Sequence, residues 1–222
     1  LQLSAFNKLE KGFVEWLQSA NTFCNSLVDR IVPGKPAADV KEKIDRYLGY
    51  TDELLLVCEP YRLWAIEGDD RVRNILSFER ADNGVIIAPD IEKYRELKLR
   101  LLNGTHTLSC GLAYLSGFTF VREGMNDTAF SSYVRDIMLK EIAPAIPANV
   151  ADDEAEAFGN QVLDRFANPF LNHQWISITM QYTSKMKMRV IPVLQRYFSI
   201  YETMPQYMAK GFAAYILFMK AV

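Results

Sequence analysis

The residue pattern of this chain changes at Pro89, and that change limits the possible folds more than any other feature of the sequence. Before Pro89, apolar runs of strand length alternate with turns that contain Gly, Pro and Asp. After it, apolar residues recur at helical spacing in long segments rich in Leu, Lys, Arg and Glu. The sequence therefore predicts a mainly α protein, in which a short strand-containing part, 1–88, precedes an α-helical bundle, 89–222.

The predicted elements follow from the spacing of apolar residues and from helix-breaking residues. The predicted helices carry an apolar face and cover 4–19, 38–48, 91–115, 128–142, 152–168 and 175–202. The predicted strands are short apolar runs between turns, the first of them buried, at 22–28, 53–57, 62–66 and 85–87. Pro192 predicts a kink within the last helix, and Pro205 begins the final segment.

The composition excludes several classes of partner. The net charge of the 222 residues is −2 and no long run of like charges occurs, so neither nucleic acid nor an anionic membrane surface is predicted. The longest apolar stretches, 54–58 and 212–219, are too short to span a bilayer. Three widely spaced cysteines with apolar or small neighbours predict buried, reduced thiols in a cytoplasmic protein: Cys24, Cys58 and Cys110.

Three polar side chains of different chemistry lie within one short apolar stretch: Lys98, Asn103 and His106. On a regular α-helix they fall at roughly 0°, 140° and 80° around the axis, within one face. Together, an amine, an amide and an imidazole can orient a carbonyl group and move a proton to or from it. The alternatives are a solvated lysine, an asparagine bonded within its helix and a histidine satisfied in the core.

Other polar residues stand at positions where function is common. Asp29 follows Val28 at the end of a predicted strand, where functional side chains of α/β folds gather. A salt bridge to Arg30 or a turn cap would explain Asp29 equally well. Lys185 and Arg189 are four residues apart on one predicted helical face, which is either a solvated basic face or a site for an anion.

Two kinds of catalytic centre have no support in the residue inventory. The chain has only two histidines, His106 and His173, and no His-x-x-x-His, His-Glu-x-x-His or Cys-x-x-Cys spacing, so no catalytic metal is predicted. No Gly-x-Ser-x-Gly occurs either, which argues against a serine nucleophile. We therefore expect chemistry that needs neither.

Motifs in several parts of the chain resemble those of one enzyme family. Lys-x4-Asn-x2-His lies within KLRLLNGTH at 98–106, and Asn-Ser-Leu-Val-Asp-Arg-Ile starts at Asn25. Arg-Phe-Ala-Asn-Pro starts at Arg165 and Ser-Lys at Ser184, in the order that the family shows. With these motifs the chain resembles the polyol-specific long-chain dehydrogenases, the mannitol dehydrogenase family, over nearly its whole length.

The resemblance implies a metal-independent reaction in which NAD exchanges a hydride with a sugar or a sugar derivative. Within it, Lys98 would be the general acid/base, Asn103 would help to hold the developing oxyanion, and His106 would contact substrate hydroxyls. In the direction of reduction, the Lys98 ammonium would protonate the carbonyl oxygen as hydride arrives from NADH. The leucines around Lys98 suit this role, because desolvation lowers the pKa of a lysine.

The resemblance also assigns the N-terminal part of the chain. The segment that starts at Asn25 closes the cofactor domain in the family, so Asn25 is expected near NAD, and Val28 and Asp29 are expected to contact substrate. No Gly-x-Gly-x-x-Gly follows a predicted strand, and the chain has only 11 glycines. We therefore expect 1–88 to hold the end of an α/β cofactor domain and 89–222 a substrate domain. An N-terminal cofactor domain of the same protein would be the partner of this chain.

Two departures from the mannitol-type members bear on the substrate. Where those members carry aspartate and arginine after the Asn-Pro motif, this chain has His173 and Ser177. A polyol is therefore less expected than a keto sugar acid, whose carboxylate would be received by Lys185 and Arg189 beside His173. Within the family, the resemblance of longer segments, such as LLLVCEPYRLWAIEG and NPFLNHQWISI, implies the reduction of D-tagaturonate to D-altronate as the expected reaction. The alternatives are reduction of fructuronate, interconversion of mannitol and fructose, or a helical module that binds a sugar or a partner without catalysis.

Overall fold

The computed structural model describes Lys8, residues 10–146 and residues 150–220. It confirms a mainly α protein with one small sheet. The helices are α1 (Phe13–Ala20), α2 (Ala38–Leu48), α3 (Asp70–Ile75), α4 (Glu92–Leu97), α5 (Thr105–Leu115), α6 (Val121–Asn126), α7 (Thr128–Asp136), α8 (Asp152–Phe166), α9 (Trp175–Ile178), α10 (Tyr182–Lys185), α11 (Ile191–Tyr201) and α12 (Gln206–Lys220). The strands are β1 (Ser26–Asp29), β2 (Leu63–Glu67) and β3 (Val85–Ala88).

Three π-helical segments of the described chain directly continue α4, α7 and α10: Lys98–Gly104, Ile137–Ile142 and Met186–Val190. The first is named here the Lys98 segment and the last the Arg189 segment. Two short 3-10 turns occur at Ser77–Arg80 and Ala143–Ala145. π-Helical turns are rare in proteins and are frequent at functional sites, so the Lys98 segment and the Arg189 segment are candidate parts of a functional site.

The described residues form two compact units. The strand unit consists of Leu1–Val28 and Leu63–Ile91, and the helical unit consists of Asp29–Arg62 and Glu92–Val222. The division into domains 1–88 and 89–222 stays a prediction. The compact units differ from it because the segment after β1 packs with the helices rather than with the strands.

The strand unit is built around a parallel pair of strands. β2 lies between β1 and β3, and it runs parallel to β3 with Trp64 opposite Val85. The strands predicted at 62–66 and 85–87 are thereby confirmed. The small core of the unit consists of three buried residues: Ile66, Val72 and Ile87.

Two other predicted strands are wrong in part. The strand predicted as buried over 22–28 is shorter, and Val28 within it is exposed. In the stretch 53–57, which is fully described, only Val57 pairs, in an isolated antiparallel bridge with Gly34. Short apolar runs are a weak signal, because strand formation depends on a neighbouring strand as well as on the run itself.

Most of the predicted helices are present. The helix predicted over 38–48 is confirmed residue for residue as α2, and those predicted over 91–115, 128–142 and 152–168 are confirmed with small shifts at their ends. The first part of the helix predicted over 4–19 lies outside the described residues, and its last part is α1. In the part of the chain that the structure describes, no helix is long and apolar enough to cross a membrane.

The single helix predicted over 175–202 is wrong. The chain turns at Gln181, whose φ of 53° is left-handed, so α9 and α10 are separate helical turns. The Arg189 segment and α11 follow, and Pro192 lies in the first turn of α11, where the N–H that proline lacks is not needed for the helix. The break at Gln181 redirects the chain, so spacing along 175–202 does not predict which side chains meet.

The core of the helical unit forms where α5 packs against α9 and α12. Gly211 allows the contact with α12, because a Cβ there would lie 2.7 Å from the carbonyl oxygen of Leu108. Gly111 is equally close to α10, where a Cβ would lie 2.7 Å from the hydroxyl of Tyr182. Large residues fill the rest of this core, among them Leu101, Ile137, Met138, Trp175 and Met208. This close packing fixes α5, and with it His106.

The burial of the cysteines differs from the prediction. Cys110 is buried, whereas Cys24 and Cys58 are exposed, so the expectation of three buried thiols is wrong for two of them. Cys58 lies in an extended stretch in which side chains alternate between the two sides, and its neighbour Glu59 takes the buried side. Apolar neighbours along the chain therefore gave a false indication of burial for Cys58.

Candidate active site

The Lys98 segment sets the placement of the three candidate catalytic residues. Its π-helical hydrogen bonds run from i to i+5, so each residue advances by less than the 100° of an α-helix. The angles predicted for Lys98, Asn103 and His106 therefore do not apply, since only His106 stands on a regular helix, α5. Their surroundings follow from tertiary contacts rather than from spacing.

Arg100 ties the Lys98 segment to the Arg189 segment. Its Nε and Nη2 donate to the Glu96 carboxylate at 2.8 and 3.1 Å, one turn earlier on the same helix. Its Nη1 donates to the backbone oxygens of Met188 and Arg189 at 2.8 and 3.2 Å. Arg100 and Glu96 are both buried, so this connection is shielded from water. The two π-helical segments consequently lie side by side.

A short hydrogen-bond chain links Arg189 with Asn103. Nη1 of Arg189 donates to Oγ1 of Thr107 at 3.3 Å, and this hydroxyl donates to the backbone oxygen of Asn103 at 2.6 Å. The side-chain amide of Asn103 has no hydrogen-bond partner within the described part of the chain. Asn103 is only partly buried, which leaves that amide available to a ligand.

Lys185 and Arg189 are neighbouring cations in a partly buried place. Nζ of Lys185 donates to the backbone oxygen of Ile178 at 2.8 Å. Burial lowers the pKa of Lys185, and the positive charge of Arg189 lowers it further. Burial also lowers the pKa of Arg189. Among the described residues neither side chain forms an ion pair with a carboxylate, so the pair presents uncompensated positive charge.

A buried ion triad lies in the same unit. Arg165, on α8, donates through Nη1 and Nη2 to the two oxygens of Asp29 at 3.0 and 2.9 Å. Its Nε and Nη2 donate to the Glu59 carboxylate at 3.0 and 2.8 Å. The exposed fractions of Arg165, Asp29 and Glu59 are 7%, 2% and 1%. The guanidinium also lies over the ring of Tyr61, 4.0 Å from its centroid.

Backbone groups hold Glu59 in the triad. The N–H of Ile31 donates to Oε1 of Glu59 at 2.6 Å, and the N–H of Glu59 donates to the carbonyl of Ile31 at 3.1 Å. Nε of Arg30 donates to the carbonyl of Glu59 at 2.9 Å. Because Arg30 donates to Glu59, Asp29 has Arg165 as its partner and not its neighbour Arg30. The expected contact of Asp29 with substrate hydroxyls stays a prediction.

Lys98 is half-buried, and several charges act on it. Burial lowers its pKa below the usual value for a lysine. The carboxylate of Asp29 opposes this effect and raises the pKa, whereas the guanidinium groups of Arg165 and Arg189 lower it. An amine with a lowered pKa gives up its proton more readily than an exposed lysine, which suits an acid/base group.

His106 lies in an aromatic box. Its ring stacks on Phe166 with centroids 3.8 Å apart and planes at 8°, while His173 and Trp175 meet it edge-on. The side chain is 4% exposed, and its Nε2 has no hydrogen-bond partner among the described residues. Burial lowers the pKa of His106 well below its usual range, as do the charges of Arg165 and the other cations nearby. The imidazole is therefore neutral at physiological pH.

A small cavity adjoins the imidazole of His106. Its volume is about 10 Å³, close to the space of one water molecule. Its polar lining consists of His106, His173 and Arg165, and the rest is apolar. The cavity is therefore too small for a sugar.

The helical unit brings most of the predicted site residues together, and two lie elsewhere. The members within the helical unit are Asp29, Lys98, Asn103, His106, His173, Lys185 and Arg189. Val28 and Asn25 belong to the strand unit, where the side-chain amide of Asn25 donates to Glu67 at 3.1 Å, at the carboxyl end of β2. Within the described residues, no group of three His, Cys, Asp or Glu side chains could hold a metal ion.

Sequence reasoning missed Glu59 and the charge of Arg165. Glu59 directly follows the apolar run 54–58, and an acidic residue in such a position is a signal of a buried, paired carboxylate. Arg165 begins the Arg-Phe-Ala-Asn-Pro motif, but the motif does not indicate its ionic partners. Its partners lie 106 and 136 positions earlier in the chain, so no local pattern identifies them.

The stability of the helical unit is expected to fall as the pH drops below about 6.5. Burial lowers the pKa of His106 and of His173, and the charge of Lys185 contributes to both shifts. In the unfolded chain both rings take up a proton near pH 6.5, whereas in the folded protein they stay neutral to lower pH. Between about pH 6.5 and the lowered pKa values of the two histidines in the folded protein, the unfolded state binds more protons than the folded state. Acidification over this range therefore lowers the free energy of unfolding.

The measurement is the thermal midpoint of the full-length protein between about pH 7.5 and about pH 5.5, above the range in which most carboxylates titrate. His106→Phe is the matched variant, because a phenyl ring keeps the stack on Phe166 and cannot take up a proton. Its midpoint should depend less on pH than that of the unchanged protein. Equal dependence in the two proteins would contradict the assignment.

Family models match nearly the whole chain. The model described as "Mannitol dehydrogenase C-terminal domain" matches residues 90–222, and that described as "Mannitol dehydrogenase Rossmann domain" matches residues 2–80. Among curated proteins, the altronate oxidoreductase of Halalkalibacterium halodurans is 41% identical over 211 residues, which are 95% of this chain and 40% of that protein. The altronate oxidoreductase of Bacillus subtilis is 38% identical over 211 residues, 95% of this chain and 43% of that protein.

Solved structures show the same fold. A D-sorbitol dehydrogenase in substrate-free form matches with a TM-score of 0.80 at 23% identity, over 96% of this chain and 43% of that one. Mannitol 2-dehydrogenase of Pseudomonas fluorescens, in a ternary complex with NAD and D-mannitol, matches with a TM-score of 0.73 at 26% identity, over 97% and 43%. The chain thus spans less than half the length of the relatives that it matches.

Proposed function

Because the chain belongs to the mannitol dehydrogenase family, we propose that it forms the substrate-binding part of an NAD-dependent reductase of keto sugar acids. The reaction is the reduction of D-tagaturonate to D-altronate. Similarity to two altronate oxidoreductases supports the substrate, and the likeness to a mannitol 2-dehydrogenase bound to NAD and D-mannitol supports the cofactor. Both are proposals for a whole protein, because this chain spans less than half the length of the relatives that it matches.

The strand unit fits only the margin of a dinucleotide site. Asn25 is exposed beside Glu67 at the carboxyl end of β2, and dinucleotides bind at this end of the strands in doubly wound sheets. The chain has no Gly-x-Gly-x-x-Gly to receive the pyrophosphate. Most contacts with the cofactor are therefore assigned to another part of the protein, and Asn25 to its edge. When bound, NADH supplies the hydride.

The residues of the helical unit supply the proton and hold the substrate. Lys98 donates its proton to the carbonyl oxygen of the substrate, and its lowered pKa makes this transfer easier. The amide of Asn103 donates a hydrogen bond to the oxygen as negative charge develops there, which can contribute several kcal/mol, on the order of 3, to catalysis. Neutral His106 lines the small cavity, and through it the buried Nε2 can take part in a hydrogen-bond chain that leads to a substrate hydroxyl.

The uncompensated positive charge of Lys185 and Arg189 supports a sugar acid, rather than an uncharged sugar, as the substrate. Burial and the positive charge of Arg189 lower the affinity of Lys185 for its proton, and a carboxylate between the two cations would relieve their repulsion. Ser177 carries no charge, and its hydroxyl donates to the backbone oxygen of Gln174 at 2.7 Å, so it does not supply the positive charge of an arginine. An uncharged ketose would leave the two cations without a counter-charge.

Lys185→Met is expected to raise the KM for D-tagaturonate by about 10- to 100-fold, because hydrogen bonds to charged groups are worth about 1.5–3 kcal/mol. The KM for D-fructose, which has no carboxylate, should change little. The measurement is steady-state NADH oxidation by the full-length protein with each substrate. Lys187→Met, at an exposed position of the Arg189 segment, is the control. An equal rise of KM for both substrates would refute the carboxylate contact.

The proposed function as a whole is tested by offering the full-length protein D-tagaturonate, D-fructuronate and D-fructose in parallel with NADH. Preference for D-tagaturonate supports the proposal. Preference for D-fructuronate or D-fructose would overturn the substrate but keep the roles of Lys98, Asn103 and His106. No oxidation of NADH with any of them would favour a helical module that binds a sugar or a partner without catalysis.

A further inference from the structure

The ion triad of Glu59, Arg165 and Asp29 contains one positive and two negative charges, all of them buried. A neutral pair of one arginine and one carboxylate would join the same chain segments without leaving net charge inside the protein. Buried net charge is costly, and burial of an ion pair is by itself weak evidence of a stabilising role. The additional carboxylate therefore needs a cation nearby or a function.

Lys98 is a cation on which the triad acts. α8, which carries Arg165, packs against the Lys98 segment. The next residue, Phe166, stacks on His106, so one turn of α8 faces two of the candidate catalytic side chains. Asp29 favours the charged form of Lys98, whereas Arg165 and Arg189 disfavour it.

We propose that the triad controls how readily the Lys98 ammonium releases its proton: the charges of Asp29 and Arg165 act on Lys98 in opposite directions, and Glu59 and Arg165 are positioning residues that clamp the Asp29 carboxylate in place. This inference rests on the function proposed above. Arg165 grips both oxygens of Asp29 as a fork, which leaves the carboxylate no freedom to rotate. Glu59 grips the other edge of the guanidinium and is itself held by the backbone of Ile31.

Asp29 acts on Lys98 through its charge, and its position is fixed because both of its oxygens accept hydrogen bonds from the Arg165 guanidinium. Glu59 completes the arrangement, since its charge offsets the repulsion between Arg165 and the Lys98 ammonium. The opposing effects of Asp29 and Arg165 on Lys98 make the inference testable by sign.

The test is a direct titration of Lys98 in the full-length protein. Lysines are dimethylated reductively with ¹³C-formaldehyde, the methyl signals are followed against pH by NMR, and the Lys98 signal is identified by its loss in Lys98→Arg. Asp29→Asn should raise the acid dissociation constant of Lys98 by about 10- to 100-fold, the effect of removing a nearby opposite charge. Glu59→Gln should raise it less, in the same direction. Each variant leaves a neutral buried pair, so both are expected to fold.

The double variant Arg165→Gln with Glu59→Gln should lower the dissociation constant, because it removes a cation and leaves Asp29. The control is Glu154→Gln, which removes an exposed carboxylate from the same helix, α8, and should change nothing. The pH profile of kcat for D-tagaturonate should move in the same direction as the titration. A structural role alone would alter stability and leave both readouts in place.

Two results distinguish this inference from the proposed function. If Asp29→Asn and the double variant both leave the titration of Lys98 within twofold of the unchanged protein, the inference is overturned, whatever the enzyme reduces. If the titration moves in opposite directions as expected, the control of Lys98 by the clamp is supported, even where no sugar acid is reduced and the proposed function fails.

Discussion

Lys98→Ala is expected to lower kcat of the full-length protein by roughly 10²- to 10⁴-fold, the usual effect of losing a general acid/base. The proton that Lys98 supplies to the carbonyl oxygen must then come from water. In the direction of reduction the protonated amine is the active form, so kcat of the unchanged protein should fall as the pH rises through the lowered pKa of Lys98. In the direction of oxidation it should rise.

The measurement is the initial rate of NADH oxidation with saturating D-tagaturonate across the pH range. Lys93→Ala is a matched control. Lys93 lies on α4, the helix that the Lys98 segment continues, and it forms an exposed ion pair with Glu154. Its kcat should stay within about twofold of the unchanged protein, as for most surface substitutions. A small primary amine added to Lys98→Ala should restore part of the rate. A loss of less than about fivefold would remove Lys98 from this role.

Arg165→Gln alone is expected to lower the free energy of unfolding by about 3–5 kcal/mol, because it leaves two buried carboxylates without their cation. Asp29 and Glu59 are 2% and 1% exposed, so water does not replace the guanidinium at either of them. The loss should be seen in urea denaturation of the full-length protein.

Lys93→Gln provides the comparison for an exposed ion pair. Lys93 and Glu154 lie 2.9 Å apart with side chains 39% and 43% exposed, and such pairs are worth at most about 1 kcal/mol. Addition of Glu59→Gln to Arg165→Gln should recover part of the lost stability, because it removes one of the two uncompensated charges. Similar losses for Arg165→Gln and Lys93→Gln would mean that the triad is not effectively buried.

Local patterns predicted most of the helices, because a helix is held by hydrogen bonds between residues close in sequence. α2 begins and ends at the predicted residues, and the helix over 152–168 is nearly as predicted. The same patterns were wrong where the backbone departs from regular geometry. The left-handed residue Gln181 interrupts the predicted helix 175–202, and the side chain gives no signal of this conformation.

The candidate site divides in the same way. The spacing of Lys98, Asn103 and His106 was enough to select them, but the π-helical form of the Lys98 segment changed the angles between them. Arg100, which joins this segment to the Arg189 segment, has partners 88 and 89 positions away. Such contacts depend on how the helices pack, and packing of distant segments is not written in any one window of the sequence.

The sequence by itself determined the helical class, the family motifs and the residue types available for proton transfer, since these depend on composition and short-range spacing. Only the tertiary structure decided which charges meet. Asp29 has Arg30 beside it in the chain but pairs with Arg165, 136 positions away, because the helical unit buries these two side chains together. Because water is excluded there, an unpaired charge would be strongly destabilising, so each buried charge needs an ionic partner. An exposed charge is solvated by water and needs none.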